Sequence, residues 1–275
     1  MRKYRYNRRI YKKPYRAGKK KPILCSRFLW LFLSFLIIFG ALFYLFIFSS
    51  VFQIKKVRIL GNLKVPASEI KNIALYQLNK NYLSRNIFLA NLKKIDKVIL
   101  NKFPQIAEIK LDREFPDSLL VRVEERKPVA IFSYEEDCFF IDKEGVVFER
   151  VSEIEPQILR IRNQTLTEKP EIGKRVVTKE ELSKILKIED KLENSFKIPV
   201  EDILIISDER INTKVKEGWE IYFNLAKNLD WQLTELRLLL KERIPPEKRR
   251  NLKYIDLRFK RIYIYPKLSK EPIKH

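Results

Sequence analysis

The chain has 275 residues, with 57 Lys or Arg against 35 Asp or Glu, a formal net charge of +22, two cysteines, six glycines and a single histidine, His275, at its end. One terminal imidazole excludes a Ser-His or Cys-His catalytic pair inside a folded site. The sequence has no CxxC pair, Walker loop or GxGxxG fingerprint, so no metal, nucleotide or other cofactor is expected.

In chain order, residues 1–27 carry twelve Lys or Arg interleaved with Tyr, and no acidic residue. Such a run can neutralise and stack on nucleic acid, but next to an apolar segment it is read as lipid-facing, and no nucleic-acid partner is expected. From Phe28 to Ile54 there is no charge. That is about 40 Å of helix against a hydrocarbon core of about 30 Å. A cleavable signal has an apolar region of about 7–15 residues before a small-x-small site, whereas this run ends in "FSSVFQ", with Phe48 and Phe52 around the serines. We therefore expect an uncleaved transmembrane helix over residues 28–50. Its basic side stays in the cytoplasm and the remainder lies outside, the topology of a single-pass type II membrane protein. Cys25 and Cys138 then face different compartments, which rules out an intramolecular disulfide.

Beyond the membrane, "QIKKVRILGN" alternates apolar and basic residues before a Gly61-Asn62 turn, which predicts a strand. "VPASEIKNIALYQL" predicts a helix capped by Ser68, with Ile70, Ile73 and Ala74 on one face. Helical spacing through Leu89, Leu92, Ile95 and Ile99 predicts a second, ended by Pro104. Two strands follow, with Ile106, Ile109 and Leu111 in the first and Leu119, Val121 and Val123 in the second, joined through Phe115-Pro116-Asp117. "CFFIDKEGVVFER" predicts a hairpin turning at Asp142 to Gly145. Thr178 and Glu181 form a capping box ahead of a helix. Strands are expected at Ile203–Ile206 and Trp219–Phe223, and a helix over about Trp231–Lys241 buries Leu233, Leu236 and Leu240. Glu135, Glu136 and Asp137 are read as a solvated turn rather than an acid/base pair.

The β-α-α-β-β order resembles the POTRA domain of the bacterial cell-division family FtsQ, called DivIB in Gram-positive species. The most specific stretch is "FPQIAEIKLDREFPDSLLVRVEERKPVA", where Pro104, Ile106, Arg113, Phe115, Pro116, Val121, Val123, Glu125, Arg126, Pro128, Val129 and Ala130 match the family pattern. "IDKEGVVF" and "YIDLRF" are similar to two later family elements. The expected fold is an α+β ectodomain behind one transmembrane helix. Residues 1–27 form the basic cytoplasmic segment, 52–130 the POTRA domain, 131–265 a mainly antiparallel β-domain with helices, and 266–275 a tail.

The C-terminal end supplies the candidate site. Tyr254, Asp256 and Arg258 alternate with Ile255, Leu257 and Phe259, and "RIYIY" continues the pattern. Either a hairpin turning at Lys260-Arg261 or one bent strand fits, because that turn lacks the Gly or Asn a two-residue hairpin prefers. An edge strand here can accept a partner strand, with Tyr254, Asp256, Arg258, Phe259, Tyr263 and Tyr265 as candidate partner-binding residues. The resemblance implies a non-catalytic divisome scaffold at the septum. Its implied partners are small bitopic proteins of the FtsB/DivIC and FtsL type, septal peptidoglycan synthases and membrane lipid, with no small-molecule substrate. Two rival readings are an accessory of protein transport or outer-membrane assembly, which would carry tandem POTRA repeats or a barrel, and a wall hydrolase using two carboxylates.

Overall fold

The computed structural model describes residues 27–151 and 158–266. The expectations for the basic leader up to residue 26, for Cys25 and for the tail from residue 267 lie outside the described residues. Helix α1 (Arg27–Phe48) is 22 residues long, carries no charge after Arg27, and has no buried residue. At about 1.5 Å per residue it spans about 33 Å, enough to cross a membrane once.

A short turn leads into the first sheet. Strand β1 (Lys56–Leu60) is followed by helices α2 (Ala67–Leu78) and α3 (Leu92–Lys102), then by β2 (Ile106–Glu114) and β3 (Ser118–Glu125). The sheet order is β1-β3-β2, with β1 parallel to β3 and β2 antiparallel to it. Ile70, Ala74 and Leu78 of α2 and Ile95 and Ile99 of α3 pack on Leu119, Val121 and Val123, forming one apolar cluster. Burying each of the larger side chains contributes about 1.5–3 kcal/mol.

Two helix starts differ from the expected ones. Helix α2 is capped by Pro66, not Ser68: the fixed φ of proline suits the cap, and its carbonyl accepts from Glu69 N at 3.1 Å. Helix α3 begins after Leu89, because the Asn91 side chain accepts from Lys94 N at 3.1 Å and sets the cap there. Leu89 is left in a loop and exposed.

The second sheet has nine strands: β4 (Ala130–Tyr134), β5 (Asp137–Ile141), β6 (Val147–Arg150), β7 (Arg160–Asn163), β8 (Val200–Ser207), β9 (Arg210–Val215), β10 (Glu220–Asn224), β11 (Tyr254–Asp256) and β12 (Tyr263–Tyr265). Their order is β12-β11-β10-β9-β8-β7-β4-β5-β6. Ala130 thus opens the first strand of this sheet. Five of the eight pairings are antiparallel; β4–β7, β7–β8 and β10–β11 are parallel. Parallel neighbours require a crossover. Helix α4 (Lys179–Asp190) supplies it between β7 and β8, and α5 (Leu229–Glu242) between β10 and β11. Both helices share one core with the same face of the sheet, with Leu182, Ile185 and Ile188 from α4 and Leu233, Leu236 and Leu240 from α5 packed among Phe132, Ile203, Ile221 and Phe223. The Thr178–Glu181 capping box is present.

The hairpin between β5 and β6 turns at Asp142 to Gly145 as its sequence predicts. Asp142 Oδ1 accepts from the backbone N–H of Glu144 and of Val146, each at 3.0 Å. Gly145 has φ +74°, and a Cβ there would lie 2.0 Å from the Val177 carbonyl oxygen, so no other residue fits. Arg126, just beyond β3, donates to Pro104 O at 3.0 Å and forms an ion pair with Asp142. One guanidinium therefore joins the two sheets.

Candidate functional site

Strand β12 is the last strand of the large sheet and pairs only with β11, Tyr254 opposite Tyr265 and Asp256 opposite Tyr263. Among the described residues nothing pairs with its outer edge. The other end of the sheet is different: Val147 N donates to Lys174 O at 2.9 Å and Gly173 N to Val147 O at 2.7 Å, so a loop covers the edge of β6. Open edges are the usual template for strand addition.

The six candidate residues converge on this corner, but not as one alternating strand. β11 ends at Asp256, and residues 257–262 form a six-residue loop before β12. The structure thus decides for a hairpin and against a bent strand. The tight turn at Lys260-Arg261 is replaced by a wide one, as expected where no residue favours positive φ. Ile255 and Leu257 face the core. Phe259 does not: it sits in the loop, 52% exposed, with its ring edge-on to Tyr263 at 5.8 Å between centroids.

Asp256 and Arg258 pair with each other, Nε to Oδ1 at 2.9 Å and Nη2 to Oδ2 at 2.7 Å, and Arg258 N also donates to Asp256 Oδ1 at 3.1 Å. This fork ties the loop to the end of β11. The hydrogen bond to Asp256 is the chief reason the guanidinium of Arg258 holds its proton even more firmly than usual, and it outweighs burial. Arg258 lies 5.6 Å from the Tyr222 ring centroid and 5.2 Å from that of Phe259.

Four strands add a row that spacing did not reveal. Tyr222 of β10 stacks on Tyr254 at 5.1 Å, and Tyr254 on Tyr265 at 5.6 Å. Arg210 of β9 covers Tyr222 at 4.9 Å and Lys253 covers Tyr265 at 5.6 Å. The Tyr222 hydroxyl is pushed up by burial and then by the Glu220 carboxylate, so it stays protonated. Tyr222 was missed because its stacking on Tyr254 arises from the parallel β10–β11 pairing, which skips the whole of α5 and has no local signal; Arg210 joins the row only through Tyr222, across the β9–β10 pair, and Lys253 lies just before β11, over Tyr265. The row presents flat rings and cations but neither nucleophile nor base. Among the described residues no three His, Cys, Asp or Glu side chains gather to hold a metal.

Carboxylates elsewhere are differently placed. Glu135 and Glu136 form the β4–β5 turn, and Asp137 is held below the usual carboxylate range by Lys169 and Arg150. On α4, burial first, then the charges of Glu193 and Asp190, push the Glu189 carboxyl up to about 7. A raised carboxyl costs stability once the unfolded chain ionises. Stability should therefore fall as pH rises from about 4.5 to about 7 and stay low above that. Glu189→Gln is expected to stabilise by about 1–2 kcal/mol at pH 8, after allowance for partial exposure, and by nothing at pH 4. Thermal unfolding of both chains at the two pH values checks this.

Comparison with known proteins places the first sheet. Residues 52–126 match the family model described as "POTRA domain, FtsQ-type". The chain is 33% identical over 104 residues to the cell division protein DivIB of Clostridium botulinum, which is 38% of either chain. It is 28% identical over 163 residues to the cell division protein FtsQ of Syntrophotalea carbinolica, 58% of this chain and 54% of that one. Over 101 residues it is 34% identical to the FtsQ of Neisseria gonorrhoeae, 37% of this chain and 38% of the relative. The matched stretches thus span between 38% and 54% of these relatives' lengths.

Proposed function

We propose that this chain, which belongs to the FtsQ/DivIB family of cell-division proteins, acts as a non-catalytic bitopic scaffold that holds other division proteins outside the membrane. The observation that supports this reading best is the outer edge of β12, unpaired among the described residues and flanked by exposed Phe259, Tyr263 and Tyr265. Main-chain bonds along such an edge supply affinity, and rings beside it supply anchors and register. The partner this edge fits is an extended segment of a small bitopic protein of the FtsB/DivIC or FtsL type, held at the same membrane by its own anchor. Through that complex the scaffold would act on septal peptidoglycan synthesis, with its N-terminus in the cytoplasm and its two sheets outside, enriched at the septum.

The test is depletion in the native host with measurement of cell length and septum spacing. Long cells with segregated nucleoids and no completed septa are expected. Normal septation with defective delivery of surface proteins would overturn the reading in favour of a transport accessory.

A further inference from the structure

The end of α1 is not joined to the first sheet by a free linker. Asn86, 1% exposed, donates through Nδ2 to Phe46 O at 2.9 Å and to Ile47 O at 3.0 Å, while its Oδ1 accepts from Phe88 N at 2.9 Å. Tyr82 Oη donates to Phe48 O at 3.0 Å. The last carbonyls of a helix have no intrahelical partner, and here the folded domain supplies one. Backbone bonds continue the clamp, Ile87 N to Phe52 O at 2.8 Å and Ile54 N to Arg85 O at 2.8 Å.

A row of rings runs outward from the same point. Phe46, in the last turn of α1, meets Phe52 at 4.9 Å and Phe88 at 5.9 Å, and Phe88 meets Phe115 at 5.3 Å. Arg113 holds the loop that carries Phe88, donating to Ile87 O at 2.6 Å and to Ala90 O at 3.1 Å. Despite this support, Leu83, Phe88, Leu89 and Phe115 are exposed. Lys55, Lys56 and Arg85, also exposed, flank them.

We propose that this apolar rim is a second membrane contact: the POTRA domain rests on the outer leaflet through the loops at residues 82–89 and 115, with Lys55, Lys56 and Arg85 reaching anionic headgroups. The occupant follows from continuity. An α1 of about 33 Å places Phe48 at the edge of a hydrocarbon core of about 30 Å, so groups touching its last turn lie in the interfacial zone. Aromatic and aliphatic side chains are favoured there, and apolar faces settle about 5–10 Å into the headgroup boundary. The clamp at Asn86 and this footing together fix how the domain stands on the membrane, and so the direction in which the rest of the ectodomain is presented.

The inference rests on the crossing by α1, and the experiment separates the two. In the full chain carrying Cys25→Ser and Cys138→Ser, an environment-sensitive fluorophore is attached in turn to Leu89→Cys, Phe39→Cys and Leu63→Cys. The proteins are reconstituted in vesicles of phosphatidylethanolamine and phosphatidylglycerol. Leu63, 84% exposed beyond the far end of β1, serves as the aqueous reference. The probe at Phe39 should be quenched by lipid nitroxides deep in the acyl chains. The probe at Leu89 should be quenched by shallow nitroxides and be about fivefold less accessible to iodide than the one at Leu63. Deep quenching at Phe39 with equal iodide access at Leu89 and Leu63 would overturn the footing alone. A Phe39 probe open to iodide would overturn the crossing and the footing together.

Discussion

Asp142→Ala should destabilise the ectodomain by about 3–5 kcal/mol, the largest loss expected from a single polar substitution in this chain. The Asp142 side chain is 4% exposed and that of Arg126 16%, so removing the carboxylate leaves a cation nearly buried without its counter-charge. The same change strips the hydrogen-bond acceptor from the backbone N–H of Glu144 and Val146, which hold the hairpin turn. Arg126 also binds Pro104 O, at the end of α3, so the loss reaches both sheets. Asp142→Asn keeps an acceptor for the turn and should cost less. By contrast, the Lys64–Glu149 pair, at 3.2 Å on the surface, contributes at most about 1 kcal/mol to the same junction. Thermal or denaturant unfolding of the detergent-solubilised chain measures the difference, and protease cleavage between residues 126 and 130 should accelerate.

Phe259→Asp is expected to act in the opposite way, on binding and not on folding. The ring is half exposed, lies outside the buried core, and meets Tyr263 and Arg258, so little packing is lost. A carboxylate at this position would have to be desolvated under a partner strand, and it would compete with Asp256 for Arg258. Affinity for the extracytoplasmic segment of the host's FtsB/DivIC-type protein should fall at least about tenfold, which is about 1.4 kcal/mol. Leu63→Asp, at a still more exposed position beyond β1 of the other sheet, should leave affinity unchanged. Circular dichroism of both variants should match the parent chain.

Much of the architecture was legible because local signals were strong. The uncharged run, the period-two strands around Phe115-Pro116, the capping box at Thr178 and the glycine turn at residue 145 each carry their own chemistry, and each forms where its residues predict. The strands β7 and β9 carried no such signal. β7 buries only Ile161 among four residues, and β9 places Asn212 and Thr213 in the buried centre, so neither shows clean alternation. Only the pairing with neighbours makes them strands.

The candidate site was legible in its residues and less so in its shape. Alternation in "YIDLRF" held through Leu257, then failed at Phe259, because the Asp256–Arg258 fork closes the strand end and turns the chain. Tyr265, one stacking partner of Tyr254, was among the candidates, but the other could not be read. Tyr222 lies some 30 residues away, and α5 stands between it and β11 in the chain.

The most direct test of a division scaffold that receives its partner on β12 is site-specific photocrosslinking in dividing cells of the host. A photoreactive residue replaces Tyr263 in the full chain, and in a parallel strain Ile172, exposed near the covered edge at the other end of the sheet. An adduct with a small bitopic division protein is expected from position 263, lost in the Phe259→Asp background, and none from position 172. Adducts of equal yield from both positions, or none from position 263 while cells divide normally, would contradict it.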